Sequence, residues 1–378
     1  METVESYQLP EHPMPLLVQL GLTYRCNLKC QHCYALYRRD LDEMSLAELS
    51  KLLDELYAAG AGSIVYSHGE NMIRKDFFEF AEQVRDRGMY QTLMANGYYI
   101  KNPAEARPVV DAGINRVMVS IDSADPEEHD RNRGMPGAFS VATRATALLR
   151  DAGVPTVGFS TTIDVHNYDK LDRIVELAKR EGIRAISFMQ NRYNRPGIFD
   201  RTLWIDYVAV CRELYEMIVT HQDVIDIYTH DPFMLTLLDD RIAGDTARAA
   251  FIGANMCNVA TSMVSIDPTG NVTGCNFMEE VIGNVRREPF AEIWNRLVAR
   301  YSDRVEPPGG PCSGCAHSTA CVGGCKAFHY NGKYDERCGE TRFGHDRPHR
   351  MTKLSLPLYP EAPQQRKAGV YARAGRVR

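Results

Sequence analysis

From Leu16 to Met189 the chain alternates short runs rich in β-branched and aromatic residues with stretches whose apolar residues recur every three or four positions. That rhythm belongs to βα units around a parallel sheet. The candidate strands are Leu17 to Thr23, Ser63 to Ser67, Tyr90 to Ala95, Arg116 to Ile121, Thr156 to Ile163 and Ala185 to Met189. Between the first two, Ser45 and Glu48 read as a capping box, Leu46, Leu49, Leu53 and Tyr57 as an apolar stripe, and Gly60 as a stop. Further helices are expected over Asp76 to Arg87, Pro103 to Ala112, Ala138 to Ala152 and Tyr168 to Glu181. Six such units fall short of the closed eightfold barrel. The expected fold class is therefore α/β, a partial (β/α)6 TIM-like barrel whose site lies at the carboxyl ends of the strands.

The chain has 378 residues and a formal charge of −5, enough for a large core and two or three domains. The expected organisation is an amino-terminal arm over 1–14, the barrel over 15–200, a helical bridge over 201–255, a small cysteine-rich domain over 256–340 and a tail over 341–378. From Thr341 to Arg378 nine Lys or Arg face only Asp346 and Glu361, a net of +7 that leaves −12 for the rest. With Pro348, Pro357, Pro360 and Pro363 and little apolar periodicity, this tail reads as mostly disordered. It suits a solvated segment or one lying across the acidic body, and no nucleic-acid role is expected. No apolar run of membrane-spanning length and no charged-then-apolar leader pattern is seen, so no membrane association is expected.

Cysteine usage changes the picture most. Of 11 cysteines, three stand in TYRCNLKCQHCY as Cys26, Cys30 and Cys33, directly after the first candidate strand. Clusters in a leaderless chain favour metal ligation in a reducing cytoplasm over a disulfide framework. The C-x3-C-x2-C spacing puts three thiolates on one tight loop, able to hold three irons of a four-iron cluster and leave the fourth open. A thioredoxin-like pair at Cys30 and Cys33, or half of a zinc site, is the plainer alternative. Neither accounts for Cys26.

With Tyr34 following, this loop resembles the signature of the radical S-adenosylmethionine (SAM) superfamily. The resemblance implies that SAM chelates the open iron and is split reductively to a 5′-deoxyadenosyl radical. A second field reads Cys257, Gly270 and Cys275, then CSGCAHSTACVGGC with Cys312, Cys315, Cys321 and Cys325, then Cys338. It resembles the SPASM domain, which implies two auxiliary iron–sulfur clusters, one on Cys312, Cys315, Cys321 and Cys338 and one on Cys257, Cys275 and Cys325. Structural zinc is the alternative. Asp267, Pro268, Thr269 and Gly270 should form a turn between two short strands that brings Cys257 and Cys275 together.

Where the family usually has Gly-Gly-Glu-Pro, whose backbone and Glu meet the methionyl amino group, this chain has His68, Gly69, Glu70 and Asn71. Gly69 and Glu70 are kept. His68 either touches cofactor or substrate or packs against the strand end. Asn96 and Gly97, and Ser120 and Asp122, stand at strand ends that line the SAM pocket in the family, and Arg133 is a candidate partner for the methionyl carboxylate, or an ordinary loop arginine. Arg192, Tyr193 and Arg195 follow the sixth strand, where a substrate would arrive. Cys211 lies at helical spacing from Tyr207 and Tyr215 and is either a small buried apolar side chain or the hydrogen-atom donor that a lone cysteine supplies in radical SAM epimerases.

The resemblance implies an oxidoreductase or maturase of cofactor or natural-product biosynthesis. Auxiliary clusters suit net oxidation, by cross-linking, dehydrogenation or decarboxylation, of a peptide or peptide-derived metabolite. Tetrapyrrole, aminocyclitol or sugar substrates, redox-neutral epimerisation and a non-enzymatic electron carrier are the other readings. Expected partners are a flavodoxin- or ferredoxin-like electron donor and a small peptide-carrier protein, because little chain precedes Cys26 to form a peptide-binding module.

Overall fold

A computed structural model describes residues 16–35, 41–191, 207–301, 324–330 and 334–335. Its elements follow in order as strand β1 (Leu17–Gly21), helix α1 (Leu46–Ala58), β2 (Ser63–Ser67), α2 (Phe77–Asp86), β3 (Tyr90–Ala95), α3 (Pro103–Asp111) and β4 (Arg116–Ser120). Next come α4 (Pro126–Arg133), α5 (Ala138–Ala152), β5 (Thr156–Ile163), α6 (Leu171–Arg180), β6 (Ala185–Gln190), α7 (Tyr207–His221) and β7 (Asp226–Tyr228). Then α8 (Asp245–Asn255), β8 (Met263–Ile266), β9 (Asn271–Thr273), β10 (Gly283–Asn284), α9 (Phe290–Tyr301), β11 (His329–Tyr330) and β12 (Tyr334–Asp335) complete the described chain.

Ten strands form one sheet in the order β10-β9-β8-β1-β2-β3-β4-β5-β6-β7. The run β1 to β6 is parallel and sequential, as the βα rhythm requires. The expected strands and helices are all present, with ends shifted by a few residues. Helices α4 and α9 and two extensions of the sheet were not expected. In the stretch expected as a helical bridge, β7 joins β6 in parallel between α7 and α8. At the other edge β8 pairs in parallel with β1, Leu17 opposite Met263, and β9 and β10 continue antiparallel. The cysteine-rich segment thus extends the barrel sheet directly.

Local chemistry explains the frame. Ser45 and Glu48 make the reciprocal capping box of α1, whose buried face is Leu49, Leu52, Leu53 and Leu56, while Tyr57 turns outward. The sheet's helix-facing residues, such as Val18, Leu20, Ile64, Leu93, Val117 and Phe159, are fully buried in one core with the helices. The Asp267 carboxylate accepts from the N–H groups of Thr269 and Asn271 and Gly270 takes φ +87°, forming the expected turn between β8 and β9. No helix among the described residues is long and apolar enough to cross a membrane.

Candidate functional site

The loop after β1 carries Cys26, Cys30 and Cys33 over the carboxyl end of the sheet. It is strapped down from two sides. Gly69 and Glu70 donate their N–H groups to the Thr23 and Arg25 carbonyls at 2.9 Å each. A Cβ on Gly69 would collide with the Arg25 carbonyl oxygen and stand 2.6 Å from that of Thr23, so only glycine lets these two loops close. On the other side Gln31 donates its N–H to the Asn132 carbonyl at 3.0 Å.

Glu70 is buried, 2% exposed. Its Oε2 accepts the Asn96 N–H at 2.8 Å, the Met72 N–H also bears on the carboxyl, and its Oε1 makes no well-formed hydrogen bond among the described residues. Burial pushes its carboxyl up to about 7. The Asn96 side chain donates to Asn27 Oδ1 at 2.9 Å and toward Cys26 Sγ at 3.7 Å. A buried acceptor with a vacant lone pair beside the first thiol suits a cation such as an ammonium.

Asp122, at the end of β4, is the hub of the opposite wall. Its carboxylate takes Arg133 Nη2 at 2.8 Å, Asn132 Nδ2 at 2.9 Å and the Thr162 N–H at 3.1 Å, with His32 Nε2 at 3.8 Å. Burial alone would raise its pKa, but Arg133, His32 and His129 hold it below the usual carboxylate range. Arg133 Nη1 points at Cys30 Sγ, 3.9 Å away. The guanidinium expected to meet a methionyl carboxylate thus pairs with Asp122 and faces a thiol, while its buried Nε has no hydrogen-bond partner among the described residues. Burial, partly opposed by Arg133, raises Cys30, and burial together with the neighbouring Cys30 pushes Cys33 up to about 12. Thiols so disfavoured as free thiolates gain most from a metal that takes their charge.

His68 packs at the strand end. Its backbone takes φ +76°, the left-handed region suited to the glycine that the family has there. The ring fills space over β1: a Cβ on Gly21 would meet His68 Nδ1 at 2.6 Å, and the rings of Tyr24 and Tyr34 lie edge-on at 5.5 and 5.6 Å. The Tyr34 hydroxyl accepts the His68 N–H at 2.9 Å and Asn276 Nδ2 at 3.0 Å.

Asn276 follows Cys275, so the core loop touches the second cysteine field. Cys275 and Cys325 are buried and Cys257 half-buried. Val259 Cγ1 lies 2.6 Å from where a Gly274 Cβ would be, which brings the segments beside Cys257 and Cys275 into contact as expected. Cys312, Cys315, Cys321 and Cys338, and Arg192, Tyr193 and Arg195, lie outside the described residues. Among the described residues no three His, Cys, Asp or Glu side chains converge on a single-ion site. A four-iron cluster engages each thiolate at a different iron and does not require that convergence.

Ser120 ends β4 opposite Ser160, half-buried at the rim of the Asp122 wall. Cys211 is elsewhere, 1% exposed in the apolar core on α7 beside Leu214 and Tyr215, which suits the small buried side chain. Sequence reasoning missed Asn132, His32 and Asn276. Asn132 and His32 sit in segments singled out for their neighbours, but nothing in spacing joins position 34 to 276.

Known proteins agree with this architecture. The Radical SAM superfamily model matches residues 20–178, and that of SPASM, an iron–sulfur cluster-binding domain, matches 257–316. The chain is 29% identical to the AdoMet-dependent heme synthase of Methanosarcina barkeri, over 84% of this chain and 92% of that protein. It is also 29% identical to the mycofactocin maturase MftC of Mycolicibacterium smegmatis, over 83% of this chain and 78% of the relative. Among solved structures, Streptococcus suis SuiB bound to its precursor peptide SuiA shares the fold at a TM-score of 0.69 and 15% identity, covering 86% of this chain and 76% of that one.

Proposed function

We propose, on the premise that this chain belongs to the radical SAM superfamily and carries a SPASM iron–sulfur cluster-binding domain, that Cys26, Cys30 and Cys33 hold the SAM-binding four-iron cluster and that Glu70 receives the methionyl ammonium. The protein is an enzyme with a SAM-bound [4Fe-4S] cluster and auxiliary iron–sulfur clusters. When bound, cluster and SAM together supply one-electron cleavage of SAM to a 5′-deoxyadenosyl radical that removes a substrate hydrogen atom.

The chain's own residues hold and orient. The observation that carries the reading is the buried Oε1 of Glu70, without a well-formed hydrogen bond among the described residues, on a carboxylate that holds Asn96, whose side chain reaches Cys26. An ionised Glu70 pairs with an ammonium there, and Asn96 fixes the carboxylate by its N–H. Gly69 keeps the loop pressed to the cysteines. Asp122, backed by Arg133 and Asn132, latches the far side of the loop. Buried Leu28, Ala35 and Tyr24 keep water from beneath it.

Cys257, Cys275 and Cys325, with Cys312, Cys315, Cys321 and Cys338, would hold the auxiliary clusters. That second redox equipment suits a substrate radical that must lose another electron, so the product class is a net oxidation: cross-link, dehydrogenation or decarboxylation. The substrate is a peptide or peptide-derived metabolite, a reading supported by likeness to a mycofactocin maturase. A tetrapyrrole is the second reading, supported by equal likeness to a heme synthase. A flavodoxin- or ferredoxin-like donor and a small peptide carrier complete the system, in a reducing cytoplasm.

Anaerobic reconstitution followed by SAM and dithionite tests the core. About twelve irons, four for each of three clusters, with 5′-deoxyadenosine formed, is the expected result. Full loading without deoxyadenosine overturns it. Co-purification with a small peptide-binding partner favours the peptide substrate, whereas deoxyadenosine formation stimulated by an iron porphyrin favours the tetrapyrrole.

A further inference from the structure

The segment after the third cysteine, the SAM loop and the auxiliary-cluster hairpin meet at one oxygen. The Tyr34 hydroxyl accepts from the His68 backbone N–H at 2.9 Å and from Asn276 Nδ2 at 3.0 Å. Asn276 is fixed in turn by its own N–H, donated to Gln19 Oε1 of β1 at 3.1 Å, and Phe277 packs against the Tyr34 ring at 5.4 Å. The hairpin is seated from below as well, where Tyr24 donates to Asp267 Oδ2 at 2.9 Å.

His68 is the strained member of this group. A non-glycine residue at φ +76° sits in a conformation that L side chains disfavour by roughly 1–2 kcal/mol. Such a conformation persists where surrounding contacts over-determine it. Here the restraints include the Tyr34 oxygen on its N–H, the Ser67 hydroxyl 3.0 Å from its Nδ1 and the two tyrosine rings about its imidazole. Gly69 and Glu70 come next in the chain, so their aim follows from the His68 backbone.

We propose that Tyr34 is a positioning residue shared by both cofactor regions. Its hydroxyl holds His68 left-handed, which aims Gly69 and Glu70 at the methionyl end of SAM, and through Asn276 it makes that aim depend on the seating of the hairpin that carries Cys275. This rests on the SAM reading of Glu70 given above. The role is positioning, because the hydroxyl oxygen accepts from both His68 and Asn276.

The test measures SAM binding to cluster-loaded protein by anaerobic equilibrium dialysis, with iron and sulfide assayed for every variant. Tyr34→Phe keeps the ring and removes the acceptor; it should weaken SAM about fivefold, the worth of one net hydrogen bond. Adding His68→Gly to Tyr34→Phe should restore affinity to within about twofold, because glycine adopts the left-handed conformation without a restraint. Asn276→Ala should weaken SAM in the Tyr34 background and have no further effect in the Tyr34→Phe background. Should Tyr34→Phe fail to load clusters, His68→Gly carries the test alone, since it should make SAM binding insensitive to Asn276→Ala. Affinity unchanged in Tyr34→Phe, or lost and not restored by His68→Gly, overturns the proposal. Loaded wild-type protein that binds no SAM overturns the SAM reading itself, an outcome distinct from the other two.

Discussion

Arg133 stands 2.8 Å from Asp122, with side chains 9% and 1% exposed, and the pair closes the cysteine loop from the side opposite Glu70. A buried ion pair is worth little over an apolar one of the same shape, yet breaking it leaves a stranded charge.

Asp122→Ala should therefore destabilise the cluster-free chain by about 3–5 kcal/mol. It should also lower iron loading, since Asn132 and the Gln31 strap lose their anchor. Urea denaturation under reducing conditions, with iron counted after reconstitution, checks both. An unchanged midpoint would show that Asp122 is no latch.

Glu70 should give SAM binding a pH dependence. Its carboxyl is raised to about 7 by burial, so below that pH it is neutral and must lose a proton to pair with an ammonium. Affinity should rise as pH increases toward about 7 and fall again as the ligand's own amino group, with an ordinary pKa of about 8, loses its proton, and Glu70→Gln should bind weakly at every pH. Without SAM the sign reverses. A raised folded-state pKa contributes stability below the unfolded value of 4.5 that is lost as pH rises through 7. Equilibrium dialysis and thermal unfolding at pH 6, 7 and 8 test the two halves separately.

Gly69→Ala places a methyl group within 2.6 Å of two backbone oxygens of the cysteine loop. The expected cost is about 1–3 kcal/mol, with loss of SAM-induced change in the core-cluster electron paramagnetic resonance signal. A variant with wild-type stability and signal would mean that the two loops are not in contact in solution.

Cys30→Ala should abolish 5′-deoxyadenosine formation, whereas Cys275→Ala should spare some SAM cleavage uncoupled from product. Equal loss in both removes the division of labour between the two cysteine fields.

Much of this was legible in order of range. Strands β1 to β6 and the α1 capping box depend on neighbours in sequence, and periodicity found them. Helix α4 escaped because PEEHDRNR carries no apolar face; its inward side is His129, Asn132 and Arg133, polar because it covers Asp122 and the cysteine loop. Strand β7 has three residues, too few to show a period. The cysteines announced themselves by spacing, which is chemical rather than geometric information. The contacts that support them did not: Tyr34 and Asn276 are 242 residues apart, and only the folded sheet makes them neighbours. Cys211 shows the opposite limit, since its spacing allowed two roles and only its burial favours packing.

The parallel pairing of β8 with β1 bears on how such a protein could be rebuilt. Among the described residues strand β1 has no other neighbour on that side, so a chain ended before 256 would carry a bare edge, open to pairing with other molecules. The auxiliary segment is therefore no interchangeable cassette. A graft from another protein would have to reproduce the register of Leu17 against Met263 before its cysteines could matter.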